Sequence, residues 1–158
     1  MDRNFLANLL FALLLLATAL VLRRLLTPLF AQMLGPRQGG WRALAKAFAT
    51  PRALPAKKLT GQTVAIDGII YRHSMNLAFD ESGLYLEAGF PVSLIQKERL
   101  FIPWAQIEKV TEGLFFWRKA AALSLGVPAV ATLTTPMTLF DAAIRPHLPA
   151  GVVMEPPR

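Results

Sequence analysis

Residues 75–87 read MNLAFDESGLYLE and contain a clear strand-turn-strand pattern. Met75, Leu77 and Phe79 alternate with other residues at the period of a half-buried β-strand. Asp80-Glu81-Ser82-Gly83 has the composition of a turn, and residues 83–87 resume the strand pattern. The stretch therefore predicts a β-hairpin.

Alternation of the same kind recurs on both sides of this hairpin. Adjacent residues of a strand face opposite sides, so Phe116 is expected to face away from Phe115 and Trp117. We expect six or seven strands in all, the others lying at residues 64–70, 100–104, 107–111, 114–125 and 127–133.

The period changes after the last predicted strand. Thr135 has the chemistry of an N-cap, and Pro136 suits the first position of a helix. Phe140 and Ile144 belong to an apolar stripe, and Pro146 is expected to end the helix. We therefore expect a mainly-β (α+β) domain over residues 60–148 with a C-terminal helix, followed by a tail at 149–158.

Three short stretches carry a resemblance to a known group of proteins. They are GWRALA at residues 40–45, GLYL at 83–86 and LFIPWAQI at 100–107. Together they resemble small bacterial membrane-anchored proteins of unassigned function with a PH-like/GRAM-like β-domain. The resemblance implies a bent β-sandwich or barrel closed by a C-terminal helix, and it implies no catalytic residue. A five-stranded OB-like barrel is the alternative that the strand pattern leaves open.

Residues 5–22 form an uncharged run of 18 residues that includes nine leucines. As a helix, at about 1.5 Å per residue, the run is roughly 27 Å long, close to the thickness of a hydrocarbon core. We therefore expect a transmembrane anchor over residues 1–24. The alternatives are a buried helix and a cleaved signal peptide. Ala17-Thr18-Ala19 fits a cleavage site, although the apolar run continues past it to Arg23-Arg24.

Positive charge is concentrated behind the apolar run. Residues 1–60 contain nine Lys/Arg and one acid, whereas residues 61–158 contain eight Lys/Arg and nine acids. Since cytoplasmic flanks carry the excess of cations, the pattern predicts a single-pass protein of the bacterial inner (cytoplasmic) membrane. Its N-terminus is expected outside and its β-domain in the cytoplasm.

Residues 25–59 are predicted to form a basic juxtamembrane segment with a short amphipathic helix, because Trp41, Leu44, Ala45 and Phe48 recur at the helical period. Such a segment suits contact with anionic lipid. In the alternative, the cations only determine topology, and the two aromatic residues pack on the β-domain. The lipid-contact candidates are Arg23, Arg24, Arg37, Trp41, Arg42, Lys46, Lys57 and Lys58.

A second candidate surface lies where an aromatic run meets two cations. Phe116 stands close to Arg118 and Lys119 in the sequence. If the ring is exposed, it suits contact with a membrane or a protein partner; otherwise the terminal helix covers it. These three residues are the partner-surface candidates.

The motifs of common enzymes are missing from the sequence. There is no Cys, which excludes disulfides, thiolate catalysis and Cys-ligated zinc. His73 and His147 share no motif, Asp80-Glu81 has the character of a solvated turn, and neither a phosphate loop nor Gly-x-Ser-x-Gly occurs. We expect no enzyme, no cofactor and no metal site. We also expect no nucleic-acid partner, because no recognition motif accompanies the basic residues.

These patterns together predict a non-enzymatic, membrane-anchored module whose cytoplasmic β-domain binds a protein partner or anionic lipid head groups. The alternative is an accessory subunit of a larger integral membrane protein complex.

Overall fold

The computed structural model describes residues 15–18, 21 and 40–156. The chain divides into two compact units, residues 1–37 and 38–158. In the first unit, the described residues are helical and exposed. All elements named below belong to the second unit.

Among the described residues, no helix is long and apolar enough to cross a membrane. The longest helix of residues 40–156 has nine residues and measures roughly 14 Å, about half the thickness of a hydrocarbon core. This finding contradicts the transmembrane anchor predicted for residues 1–24, the single-pass topology and the inner-membrane localisation with a cytoplasmic domain. Apart from residues 15–18 and 21, the predicted anchor lies outside the described residues.

Helix α1 spans Gly40–Phe48, within the predicted basic segment. Trp41 and Leu44 are buried in the core, while the cations of the helix are exposed, as an amphipathic helix on a sheet requires. At the start of the helix, the backbone N–H of Gly40 donates a hydrogen bond to the carboxylate of Asp67. A carboxylate satisfies a free N–H there and suits the helix dipole, so Asp67 holds α1 against the sheet.

Nine strands follow α1 along the chain, and several are joined by short turns. They are β1 (Ala49–Thr50), β2 (Lys58–Ile66), β3 (Ile69–Phe79), β4 (Gly83–Ala88), β5 (Arg99–Pro103), β6 (Ile107–Phe115), β7 (Arg118–Leu125), β8 (Ala131–Pro136) and β9 (Val153–Glu155).

All nine strands belong to one sheet, in the order β1-β5-β4-β3-β2-β8-β7-β6-β9. Neighbouring strands are antiparallel except β6 and β9, which are parallel. The order places two meanders side by side, β2 to β5 and β6 to β8, joined where β2 pairs with β8. The hairpin predicted from residues 75–87 is present as β3 and β4, with Phe79 opposite Leu84.

This architecture differs from the predicted PH-like or GRAM-like sandwich or barrel, with its six or seven strands and C-terminal helix, and also from the OB-like alternative. The sheet has nine strands, and the described part of the chain ends in a strand, β9. Thr135 and Pro136 pair with β7 and so extend β8, which removes the predicted helix cap. The residues between β8 and β9 form three short helical turns in place of one regular helix, at Met137–Leu139, Phe140–Ile144 and Arg145–His147.

One apolar core joins both meanders to α1 and the helical turns. Its largest fully buried side chains come from the inward faces of the strands, from Leu44 of α1 and from Phe140, which packs the turns onto the sheet. Burial ends toward the β6–β7 turn, where residues 114–119 are exposed or only partly buried. The core therefore supports a hairpin whose end protrudes from it.

Candidate binding site at the β6–β7 hairpin tip

The hairpin of β6 and β7 ends in an unusual turn. The two strands pair as far as Phe115 opposite Arg118, so Phe116 and Trp117 alone form the loop. Both have positive φ, 50° and 63°. Two-residue hairpin loops of this kind favour Asn-Gly, because a side chain with a Cβ pays about 1–2 kcal/mol in the left-handed region. The turn is thus strained at two consecutive aromatic residues.

The sequence-based expectation for this segment was wrong. Residues 114–125 were predicted as one strand in which Phe116 faces away from its neighbours, whereas the chain reverses at Phe116 and Trp117. Residues 114–119 contain no Gly, Asn, Asp or Pro that would indicate a turn. The turn exists because the residues before and after it pair across the sheet, which is a long-range effect.

The end of this hairpin, residues 114–119, is called the tip. Trp117 is 94% exposed, Leu114 70% and Phe116 45%. Arg118 and Lys119 are also exposed, and Lys119 lies opposite Leu114 across the hairpin. The tip contains two cations and no acid. Large exposed apolar side chains beside cations are typical of an interaction surface.

Beside the tip lies a cleft of about 260 Å³ lined by Thr63, Arg72, His73 and Phe116. The guanidinium carbon of Arg72 lies 4.8 Å from the centre of the Phe116 ring, within the range of a cation–π contact. The backbone N–H of His73 donates a hydrogen bond of 3.1 Å to Oγ1 of Thr63. The tip is therefore attached to β3 by a cation–π contact, and β3 is in turn hydrogen-bonded to β2.

The strands that line this cleft are irregular at the same place. The pairing of β2 with β3 shifts register on both sides of Gln62, and His73 has a φ of 49°. Such bulges redirect side chains and are common beside functional sites. Among the described residues, four that are not glycine have positive φ, and His73, Phe116 and Trp117 are three of them. The fourth is Asp67, in the β2–β3 turn.

All three partner-surface candidates, Phe116, Arg118 and Lys119, lie at the tip. The sequence did not single out Trp117 and Leu114, or the three residues that complete the cleft. The aromatic-basic composition of residues 115–119 was the only local signal. Arg72 and His73 follow the predicted first strand without any sign that they meet the tip.

None of the lipid-contact candidates that the structure describes belongs to this site. Trp41 is 5% exposed and lies 6.5 Å from the ring of Tyr71, so it is a core residue and not a lipid contact. Arg42 and Lys46 are exposed on α1, and Lys57 and Lys58 are exposed where β2 begins. Arg23, Arg24 and Arg37 lie outside the described residues.

The most hydrogen-bonded carboxylate of residues 40–156 serves the fold. Oδ1 of Asp80 accepts from the backbone N–H of Ser82 (2.8 Å) and of Gly83 (3.0 Å), and Oδ2 accepts from the Tyr85 hydroxyl (2.9 Å). Burial raises the pKa of Asp80, but the hydrogen bonds from Ser82, Tyr85 and Gly83 together lower it more, so the pKa lies below its ordinary value. This carboxylate is ionised to hold the β3–β4 turn.

The part of the chain that the structure describes contains no group of three or more His, Asp or Glu side chains that could hold a metal ion. Asp80 and Glu81 are neighbours in a turn, and Glu81 is exposed. His147 stacks on Trp104 with ring centres 5.3 Å apart, far along the chain from the cleft. The tip and the cleft are thus the arrangement with the clearest chemical character.

No family model matches the chain, and no curated protein matches it in sequence. The resemblance to small bacterial proteins with a PH-like/GRAM-like β-domain accordingly stays a prediction.

Proposed function

We propose that the β-domain is a non-enzymatic binding module that docks on an anionic lipid surface through the tip. The observation that carries the proposal is the concentration of left-handed backbone at His73, Phe116 and Trp117. Such conformations persist only where the surrounding structure enforces them, and they cluster at functional sites. A turn selected for stability alone would use Asn-Gly, whereas this turn presents two aromatic rings.

The order of side chains along the tip matches the layers of a lipid surface. Phe116 and Trp117 are outermost, and Arg118 and Lys119 follow as the first two residues of β7. At about 3.3 Å per residue, Lys119 lies roughly 7 Å behind the turn. Interfacial apolar groups enter about 5–10 Å below the head-group boundary, so the Trp117 ring would reach the acyl region while the cations meet the phosphates. Trp is also the residue type enriched at such interfaces.

The expected affinity is modest and sensitive to salt. Each cation near an anionic surface contributes about 1 kcal/mol, and each large apolar side chain that becomes buried contributes roughly 1.5–3 kcal/mol. Association costs at least about 4 kcal/mol, which offsets much of this sum. The tip alone should therefore bind reversibly, and salt should weaken the binding because the cations are exposed.

A protein partner is the other ligand class that the sequence admits, and the accessory-subunit alternative belongs to it. A protein would have to supply a pocket for the protruding rings, whereas a lipid surface accepts them without a preformed shape. The depth order of rings and cations therefore favours lipid. Capture of a protein through the tip without insertion of Trp117 into vesicles would decide for the protein.

Trp117 itself reports on the proposed contact. Trp41 and Trp104 are each 5% exposed, so a change of Trp emission on binding belongs mainly to Trp117. The full chain is mixed with phosphatidylglycerol or phosphatidylcholine vesicles, and the Trp117→Phe variant is subtracted. With anionic vesicles we expect a blue shift, quenching by brominated acyl chains, and loss of both in high salt.

Two matched variants test whether the tip carries the effect. Leu114 is 70% exposed at the tip, and Leu94 is 66% exposed in the β4–β5 loop. Leu114→Ser should weaken quenching of Trp117, and Leu94→Ser should leave it unchanged. The proposal is wrong if Trp117 keeps its water-exposed emission on anionic vesicles at low salt, even where the chain sediments with them through other residues.

A further inference from the structure

The cleft beside the tip combines a guanidinium, an imidazole, a hydroxyl and an aromatic ring, and no carboxylate is among its four lining residues. Guanidinium, imidazole and hydroxyl groups are the side-chain donors suited to phosphate oxygens. We infer that this cleft binds a phosphate group, either free or as part of a lipid head group. The lipid source rests on the proposed function, while the chemistry of the cleft does not.

Arg72 has no acidic partner among the described residues. Three ion pairs are present among the described residues, and none involves Arg72: Arg99 with Glu87 at 2.8 Å, Lys109 with Glu155 at 3.3 Å and Arg145 with Asp141 at 3.1 Å. Its guanidinium instead lies over the Phe116 ring. A cation–π contact does not consume the N–H groups of the guanidinium, which therefore remain to donate hydrogen bonds. A planar fork of donors is the arrangement that binds phosphate through two oxygens.

The bulge in β3 is what lets two neighbouring side chains line one cleft. In a regular strand, adjacent residues point to opposite faces, so Arg72 and His73 would be separated by the sheet. Here both are exposed and both line the cleft, while the next two residues, Ser74 and Met75, are both buried. The left-handed φ of His73 marks the residue where the alternation breaks.

The hydroxyl of Thr63 is oriented by the same bulge. Oγ1 accepts the hydrogen bond from the backbone N–H of His73, so its own O–H remains to donate. Phe116 belongs to both the cleft and the tip, whereas Trp117 does not line the cleft. A phosphate held between Arg72, His73 and Thr63 would therefore sit beside the Phe116 ring, at the depth where a lipid surface carries its phosphates, while Trp117 lies deeper.

Inorganic phosphate is the probe for the cleft itself. The uniformly ¹⁵N-labelled full chain is titrated with phosphate and followed by the backbone N–H signals and the His73 imidazole. We expect saturable shifts centred on Thr63, Arg72 and His73. Arg72→Gln should weaken binding about tenfold or more, because it removes a hydrogen bond to a charged group.

The matched control is Arg52→Gln. The guanidinium of Arg52 also lies over a ring, 5.4 Å from the centre of Phe101, so the two substitutions remove the same kind of contact. Arg52→Gln should leave phosphate binding unchanged. Unchanged midpoints of urea unfolding would show that both variants fold. The inference is overturned if phosphate leaves the cleft signals unshifted, or if both variants weaken binding equally.

Soluble short-chain phosphatidic acid separates the two sources of phosphate. Binding tighter than that of inorganic phosphate supports a lipid head group, and equal binding supports a site for phosphate itself. The two proposals also fail separately. If Trp117 inserts into anionic vesicles but phosphate does not shift the cleft signals, only the phosphate site is refuted. If phosphate shifts the cleft signals in both the native chain and Trp117→Phe, and Trp117 of the native chain does not insert into vesicles, only the docking function is refuted.

Discussion

Replacing Trp117 by glycine should make the protein more stable and remove its proposed contact. Trp117 has a φ of 63° and is 94% exposed, so the substitution relieves backbone strain and removes little packing. The left-handed conformation costs a residue with a Cβ about 1–2 kcal/mol. Glycine loses about 0.5–1 kcal/mol through the larger freedom of the unfolded chain. The net expectation is an increase of about 0.5–1 kcal/mol in the free energy of unfolding.

The control for this prediction is Trp117→Ala, which also removes the indole but keeps a Cβ in the left-handed region. Urea unfolding of the full chain, followed by circular dichroism, gives both free energies. The free energy of unfolding of Trp117→Gly should exceed that of Trp117→Ala by about 0.5–1 kcal/mol. In a thermal scan the glycine variant should unfold about 1–4 °C above the native chain.

Sedimentation of the same two variants with vesicles separates the effect on binding from the effect on stability. Both variants lack the indole, so both should sediment less with anionic vesicles than the native chain, although only one of them is stabilised. Such a trade-off is expected where a strained residue is kept for its contact. A glycine variant no more stable than the alanine variant would refute the assignment of strain to this turn.

Two further predictions concern carboxylates that hold the fold. The Asp67 carboxylate accepts hydrogen bonds from the backbone N–H of Gly40 and, at 2.7 Å, from the backbone N–H of Thr132. Asp67→Ala should therefore lower the free energy of unfolding, measured in urea, by about 1–3 kcal/mol. The control is Glu108→Ala at an exposed residue, and a loss for Asp67→Ala no larger than for this control would contradict the role of Asp67. The pKa of Asp80 is lowered by its hydrogen bonds in spite of the raising effect of burial, so its contribution is present above the unfolded pKa and is lost as pH falls through the folded value. Between about pH 5 and pH 3, Asp80→Asn should therefore lose less stability than the native chain, and parallel pH curves would count against it.

The hairpin of β3 and β4 is predictable because its signals are local. Met75, Leu77 and Phe79 alternate over a few residues, and the turn that follows is stabilised by its own side chain, since Asp80 accepts from Ser82 and Gly83. Alternation and turn chemistry act within a short stretch, and both favour the same structure here. Local residues are sufficient to explain the register in which β3 pairs with β4.

The two wrong predictions, the transmembrane anchor near the N-terminus and the helix start near the C-terminus, have a different cause. A hydropathy argument requires the run of residues 5–22 to form one helix, and no helix of the described residues has that length and apolarity. Near the C-terminus, Thr135 and Pro136 have the chemistry of a helix start, but pairing with Ala121 and Ala120 of β7 takes them into a strand. Pairing with a neighbouring strand outweighs the weak local preference of two residues.

At the candidate site, too, some features can be predicted from local sequence and others depend on strand pairing. The aromatic and basic character of residues 115–119 is visible in the sequence, and it identifies Phe116, Arg118 and Lys119 as surface candidates. The turn at Phe116 and Trp117 is not visible there, because neither residue favours positive φ. It follows from the register of β6 with β7.

Local sequence thus accounts for the strand-rich character of residues 60–136, the β3–β4 hairpin and the lack of enzyme motifs, since each depends on residues close together in the chain. Strand pairing and core packing account for the nine-stranded order, the strained aromatic turn, and the meeting of Arg72 and His73 with Phe116. Those residues come from separate meanders, and only the packing of both meanders on one core brings them together. The cleft with its guanidinium, imidazole and hydroxyl is therefore a product of tertiary structure.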